Sequence, residues 1–333
     1  TKNLKFVGRF GYDTYNDNTI KRHKWPEQWL AERARNEEGE LVFKKISGAG
    51  NMAQESSSSG NRREFLDLTL NWNRAFKAHH PSATLKYTQD AFVKTVALGD
   101  DLKEGVSRRT QALAGRFAYN YNYRYFVDFN FGYNGSENFA KGHRFGFFPA
   151  YSLAWNIAEE KIIKKHLKWM NMFKVRYSYG KVGNDNVGTR FPYLYSIADN
   201  YKENDQTKYY AGSNKSYNGL RYTKLASNDI TWEIATKSDL GIDMALFNDK
   251  FTATIDYFDE SRSGIYMERA FLPGMVGLDG NKPYANVGEV NSKGFDGNFS
   301  YKQKISDVKF TVRGNITYSK NEIIERDEEN NVY

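Results

Sequence analysis

Seven tyrosines crowd one polar stretch of this 333-residue chain: Tyr193, Tyr195, Tyr201, Tyr209, Tyr210, Tyr217 and Tyr222. Aromatic faces stack on sugar rings, and polar neighbours fix orientation, so the stretch is a candidate for glycan contact. The simpler reading is that the same residues pack loops against one another or against a partner, since loops rich in Tyr serve many interfaces. Just before them, Gly183-Asn184-Asp185-Asn186 is built for a turn: Gly and Asn accept positive φ, and Asp caps backbone amides. A rigid loop is the first reading of this tetrad. The second is that Asp185 and Asn186 gate or bind substrate. Bond chemistry finds no foothold. Cys is absent, which removes disulfides, thiolate ligands and a thiol nucleophile. His79 and His80 fall in a predicted turn without matching ligands. Gly48-Ala49-Gly50 follows no βαβ pattern, and no nucleophile elbow, H-E-x-x-H or P-loop appears. The expectation is a protein that binds: no catalytic residue, no metal and no cofactor.

The elements that position these residues are strands. In Phe126–Ile157, Val127, Phe129, Phe131 and Tyr133 alternate with Asp128, Asn130 and Asn134. After a polar break, Phe145, Phe147, Tyr151, Leu153, Trp155 and Ile157 resume the alternation. A period of two marks a strand with two unlike faces, and two such strands around a turn predict a hairpin. The pattern recurs in about a dozen segments, each roughly the length of a transmembrane β-strand. Leu66–Trp72, Phe117–Tyr121, Phe173–Tyr179, Leu240–Leu246 and Phe310–Tyr318 are the clearest. One segment differs: near 159–170, Ile162, Ile163, Leu167 and Met170 stand at helical spacing and predict a short periplasmic helix.

What covers the apolar face decides the class. Lys, Arg, Asp, Asn and Thr on the opposite face are costly in a sandwich core and free of penalty in a wet lumen. Connections alternate between tight ones (near Asn122, Phe247–Lys250, Lys302–Asp307, Ala78–Ser82) and long polar ones near 14–61, 135–144, 183–228 and 261–283. Outer-membrane barrels have that asymmetry, with short periplasmic turns and long outer loops. Tyr121, Tyr123, Tyr125, Trp155 and Trp232 near strand ends suggest an aromatic girdle. No apolar run approaches the roughly 20 residues of a membrane helix. The net charge of +8 is spread along the chain without a patch, which speaks against a nucleic-acid groove. The fold class is therefore all-β: an antiparallel transmembrane β-barrel. A passive porin is the alternative to an active transporter. Because the chain opens on a strand, "LKFVGRF", and stops just after one, it is expected to be a barrel fragment.

Four motifs in order make the reading specific. Residues 115–160 carry Tyr133-Asn134-Gly135-Ser136, then Gly146-Phe147-Phe148-Pro149, then Trp155 to Glu160. "YGKVGNDNV" follows with Gly183 and Asn184. "TWEIATKSDLGIDMALFNDKFTATIDYFDE" brings Trp232, Glu233, Gly241 and Asp243. "NVGEVNSKGFDG" closes the series. Together they resemble the SusC/RagA family of TonB-dependent outer-membrane transporters over most of the C-terminal two thirds of the chain. Asn134 stands where the family has Asp, and Ala154 where it has Gly. The resemblance gives Gly135, Ser136, Phe148, Pro149, Trp155, Gly183, Asn184, Trp232, Glu233, Gly241 and Asp243 structural roles. It implies a barrel of about 22 strands with an internal plug in the whole protein, the plug and TonB box having no counterpart in these residues. It further implies uptake of oligosaccharides or peptides powered through TonB, a SusD-like surface lipoprotein as partner, and residence in outer-membrane lipid and lipopolysaccharide.

Overall fold

The computed structural model describes residues 3–95, 105–201, 208–209, 216–217, 219–270 and 282–328. Strands dominate throughout. In chain order they are β1 (Leu4–His23), β2 (Gln28–Arg35), β3 (Leu41–Ser47), β4 (Ala53–Asn73), β5 (His79–Lys94), β6 (Arg108–Tyr121), β7 (Tyr125–Ser136) and β8 (Phe145–Asn156). A 3-10 turn at Ile157–Glu159 and a short helix α1 (Lys161–His166) lead into β9 (Met170–Asn184). Then come β10 (Ser196–Tyr201), β11 (Lys208–Tyr209), β12 (Ser216–Tyr217), β13 (Gly219–Lys224), β14 (Glu233–Leu246), β15 (Phe251–Glu268), β16 (Tyr284–Ile305) and β17 (Val308–Glu325).

Eleven of these form one sheet in the order β1-β4-β5-β6-β7-β8-β9-β14-β15-β16-β17. Each is hydrogen-bonded to its sequence neighbour once the short strands of the connections are set aside. β1 and β17 are the outermost strands. Two compact units divide the chain. The larger takes in Thr1–Gly11, Phe65–Ala91 and Arg108–Tyr333; the smaller, Tyr12–Glu64 and Phe92–Ser107, contains the β2–β3 hairpin.

Register explains the alternation. Tyr119, Val127, Leu153, Tyr177, Leu240, Tyr257, Phe295 and Tyr318 pair in a single row across eight strands. The neighbouring row on the other face reads Asn120, Phe126, Ala154, Arg176, Gly241, Asp256, Asp296 and Thr317. Most apolar-row side chains stand exposed: Phe129, Tyr151, Leu153, Leu240, Tyr257 and Phe295 among them. Aromatic and aliphatic groups in such an unbroken exposed patch would be severe liabilities in water; hydrocarbon is the solvent that suits them.

The apolar band also drifts. One row is aromatic at Phe117, Phe129, Tyr151 and Tyr179, then polar at Ser238, Asp259, Lys293 and Lys320. Towards the short turns the opposite happens, and Leu246, Phe251, Tyr301 and Val312 form an apolar row. Barrel strands tilt relative to the axis, so a band of constant height must step down from strand to strand.

Several expectations change in detail. Much of 14–61 is strand: β1 continues to His23, β2 and β3 pair, and β4 begins at Ala53. Likewise β15 runs on to Glu268 within the expected 261–283 connection. Backbone pairing needs no apolar side chain, so ladders outrun the alternation that reveals them. The turn expected at Ala78–Ser82 lies at Phe76–His79, where Lys77 takes φ 53°; His79 and His80 open β5. Left-handed residues also close the other short connections: Asn122–Arg124 (φ 50° and 55° at Asn122 and Tyr123), Phe247–Lys250 (φ 57°, 58° and 60° at its first three residues) and Ser306–Asp307 (φ 53° at Ser306).

Candidate functional site

At the end of the sheet carrying the long connections, side chains of four segments meet. Phe139, Phe148, Val187, Ile230 and Trp232 form the hydrophobic core, with Ile234 and Tyr266 against it. Parity brings Phe148 there. Phe145 and Phe147 face lipid, so Phe148 must face the polar side, opposite Gly132 in the ladder. Its ring lies where a Cβ on Gly146 or Gly183 would stand, and both positions need glycine for that reason. The ring meets Trp232 edge-on at 5.2 Å, and Phe139 meets Trp232 at 5.3 Å. Trp232 is 7% exposed, so it belongs to this core and not to the lipid-facing girdle expected from its place beside a strand. Pro149 lies one residue outside the β8–β9 ladder, which starts at Ala150 and Gly180, so its missing N–H costs no bond on that side.

Polar ties lock the same segments. Ser136 Oγ donates to Asp185 Oδ2 at 2.7 Å, and Asn138 Nδ2 donates to the Asp185 carbonyl at 3.1 Å. Trp232 Nε1 donates to the Arg144 carbonyl at 3.2 Å. Asn286 joins β16 to the residues before β14: its Nδ2 donates to the Thr231 and Gly264 carbonyls, and its Oδ1 accepts from the Thr231 amide. Asn184 Oδ1 accepts from the Asn186 amide, and Asn186 Oδ1 from the Gly188 amide, the turn chemistry the tetrad suggested. Asp185 is thus half-buried and committed to Ser136 and Asn138, whereas Asn186 is exposed. Tyr193 packs edge-on against Phe191 at 6.1 Å, and Tyr195 is exposed. The backbones of Tyr201, Tyr209, Tyr217 and Tyr222 lie in β10 to β13, and Tyr210 lies outside the described residues.

The polar face forms a charged wall. Arg176 sits opposite Gly241, whose lack of a side chain leaves room for the guanidinium. Three carboxylates surround it: Asp239 at 3.1 Å, Asp243 at 3.3 Å and Asp256 at 2.5 Å. This gives the Gly241 and Asp243 of the third motif a physical reason. Arg116 pairs with Asp128 nearby at 2.5 Å. A cavity of about 730 Å³ opens over this wall, lined by Arg74, Ser82, Arg116, Asp128, Lys174 and Asp239 with others. Such a surface holds water and polar solutes, and it carries no nucleophile–base pair among the described residues.

At the short-turn end the aromatic residues assemble. Tyr121 stacks on Tyr125 and Tyr125 on Trp155, with centroids 6.4 and 6.5 Å apart. Glu160 ties them down. It accepts from Tyr125 Oη at 2.6 Å and Trp155 Nε1 at 3.1 Å, and pairs with Arg124 at 3.3 Å. The Tyr125 hydroxyl, first, then the Trp155 N–H and the Arg124 charge hold the Glu160 carboxyl below its usual range, against the opposing effect of desolvation. The helix that follows is shorter than its spacing suggested, and Ile162 on it is 74% exposed.

Phe139, Asn138, Arg144, Ile230 and Asn286 carry this architecture and were not singled out by sequence reading. The one available signal was Phe148, an aromatic off the parity of its strand.

A sheet with one lipid-facing and one wet, charged face, girdled by aromatics at its short-turn end, is the wall of a transmembrane β-barrel. A family model described as "TonB dependent receptor-like, beta-barrel" matches residues 3–332, and the chain belongs to that family. It is 28% identical to TonB-dependent receptor P3 of Formosa agariphila over 213 residues, covering 62% of this chain and 19% of that protein. It is likewise 28% identical to TonB-dependent receptor SusC of Bacteroides thetaiotaomicron over 211 residues, 63% of this chain and 20% of that one. The chain spans about a fifth of the length of these curated relatives. In fold it is similar to the RagAB peptide transporter: TM-score 0.68, 17% identity, 97% of this chain and 35% of that chain. It is also similar to the outer membrane transporter YddB of Escherichia coli, with TM-score 0.55, 12% identity, and 97% and 40% covered. The resemblance to SusC and RagA drawn from the four motifs holds, and the outer membrane is the chain's location.

Proposed function

We propose that these residues form part of the barrel wall of an active outer-membrane importer that takes up oligosaccharides or peptides through TonB, with a SusD-like lipoprotein over its outer mouth. The observation that carries this is the packed rim. Residues of four motifs converge on one hydrophobic and hydrogen-bonded cluster at the long-connection end. A passive pore has no need of so fixed a rim; a transporter that seats a lid and passes cargo does. The long-connection end is then the outer one and α1 lies on the periplasmic side. Asp185 and the ordered turn from Asn184 to Gly188 fix the base of the tyrosine-rich connection, leaving Asn186, Tyr193, Tyr195 and the tyrosines of β10 to β13 as candidate cargo contacts. Catalysis has no part in this reading, in keeping with relatives named as receptors.

The test is made on the full-length protein with its genomic neighbours. The purified membrane complex should bind one glycan or peptide class saturably, and a co-purifying lipoprotein should be required for it. Partner-independent, unsaturable passage of small solutes would instead establish the passive porin.

A further inference from the structure

We infer that the short-turn rim of the sheet is a docking surface for the anionic phosphate headgroups of the adjoining phospholipid leaflet, with the β8–β9 connection as its main contact. The inference rests on the membrane-spanning reading above. Its basis is charge that only the fold brings together.

Residues 74–80, 121–125, 157–170, 247–250 and 302–309 make up this end of the larger unit. They hold eleven Lys and Arg against four Asp and Glu, a surplus of seven. That is nearly the whole net +8 of the chain, so the charge that seemed spread along the sequence is gathered on one edge. Backbone hydrogen bonds join turn to turn along it. The Asn122 amide donates to the Ala78 carbonyl at 2.6 Å and the Asn156 amide to the Arg124 carbonyl at 2.8 Å. Further along, the Phe247 amide donates to the Trp169 carbonyl at 2.6 Å and the Lys302 amide to the Lys250 carbonyl at 2.7 Å.

Internal carboxylates answer only part of this charge. Glu160 takes Arg124 and Glu159 takes Lys164. Lys161, Lys165, Lys168 and Lys250 are exposed, and none makes an ion pair among the described residues; Lys302 and Lys304 share the polar-face parity of β16 and add to the charge of the inner side of the rim. A merely solvated basic face would not set apolar groups among its lysines. Here Ile162 is largely exposed beside Lys161, and Trp169 stacks on Phe247 at 5.4 Å with both rings exposed. Lysines that reach for phosphate while aliphatic and aromatic groups settle at headgroup depth are the signature of a membrane-surface segment. An acidic protein partner would use the lysines but leave Ile162 and the Trp169–Phe247 stack in water.

The experiment uses the full-length protein in detergent, titrated with phosphatidylglycerol or phosphatidylethanolamine, with bound lipid counted by native mass spectrometry. The unaltered protein should retain phosphatidylglycerol preferentially. Each neutralised lysine should cost about fivefold in that preference, so K161Q/K165Q/K168Q should lose on the order of a hundredfold. The corresponding Lys-to-Arg set should keep it. K250Q, on the separate β14–β15 turn, should show a smaller loss of about fivefold and serves if the first set fails to give the heat-modifiable band of a folded barrel. Equal retention of the two lipids by the unaltered protein overturns the inference. So does a preference that both Gln variants leave intact, or selective displacement of lipid by inorganic phosphate or by an acidic peptide over chloride of equal ionic strength. Substrate capture is expected to survive in all these variants. Its failure in unaltered protein that still prefers phosphatidylglycerol would overturn the transport reading alone. Partitioning of the protein into detergent-free buffer would overturn both.

Discussion

Replacing Phe148 by alanine empties the middle of the rim core while leaving the lipid-facing wall untouched. Its side chain is 6% exposed, and its ring fills the space over two glycines and meets Trp232 edge-on. Deleting a buried Phe costs about 3–5 kcal/mol in transfer and cavity terms. The edge-on contact supplies about 0.5–1.5 kcal/mol of it beyond area alone. The surrounding glycines cannot expand into the void, so the loss should sit near the upper part of the range. A barrel's global unfolding is a poor gauge of this, because the ladder is long and the core small. Local opening is the better readout: at 1.4 kcal/mol per decade, amide exchange at Asn138 and Asn186 should accelerate about a hundredfold to a few thousandfold. Phe147→Ala is the matched control, one residue away, 55% exposed and on the apolar face. It should leave those amides unchanged. Acceleration by Phe147→Ala with silence from Phe148→Ala would reverse the parity of β8 and refute the assignment of the two faces.

Three other outcomes follow from the same geometry. Asp185→Ala strands the Ser136 hydroxyl and should loosen the 135–144 connection by about 1–3 kcal/mol, measured as protease cleavage there; equal cleavage with Asn186→Ala alone would count against it. Arg176→Met leaves Asp239, Asp243 and Asp256 facing one another and should cost about 1–3 kcal/mol in denaturation by guanidinium, with part recovered in Arg176→Met/Asp256→Asn. Glu160 has its carboxyl depressed below the ordinary value of 4.5 in the folded chain, so its contribution is complete above that pH and lost as pH falls through the lower folded value. Thermal melts of unaltered protein and Glu160→Gln should therefore differ most at neutral pH and converge in acid; divergence on acidification would reverse the sign.

Much of the wall was legible because a period of two needs only one unlike pair of environments to show itself. Leu240, Ile242 and Met244 against Asp239, Gly241 and Asp243 state the two faces before any partner strand is known. The ends of strands were not legible. β1 beyond Thr14 is largely polar on both faces, and in β15 beyond Ser261 the run Ile265-Tyr266-Met267 follows a register shift, so no period-two alternation marks either. The rim core hid for another reason. Phe139 and Ile230 lie in connections and Asn286 near the start of β16, and only the ladder brings them within reach of Phe148 and Trp232. Asp185 illustrates the ambiguity that remains in any turn sequence. A carboxylate that caps its neighbours and one that meets a ligand are the same letter, and the Ser136 hydroxyl 49 positions away decides how it is placed. Trp232 was misjudged because nearness to a strand end says nothing about which side of the wall a ring enters.

The length of β16 has a mechanical consequence. It has 22 residues, and at about 3.3 Å each with a tilt near 45° it rises roughly 50 Å. The apolar band of an outer-membrane barrel is about 25 Å tall. Half of the strand is therefore masonry above the waterline, held by the same ladder that crosses the bilayer, interrupted only by register shifts near Ile265 and Glu289. A solute arriving from outside would meet a stiff parapet before it reached membrane depth. A force applied at the top of that parapet, by a lid closing or a cargo binding, would be carried down through hydrogen-bonded backbone to the short turns, with no slack loop in between to absorb it.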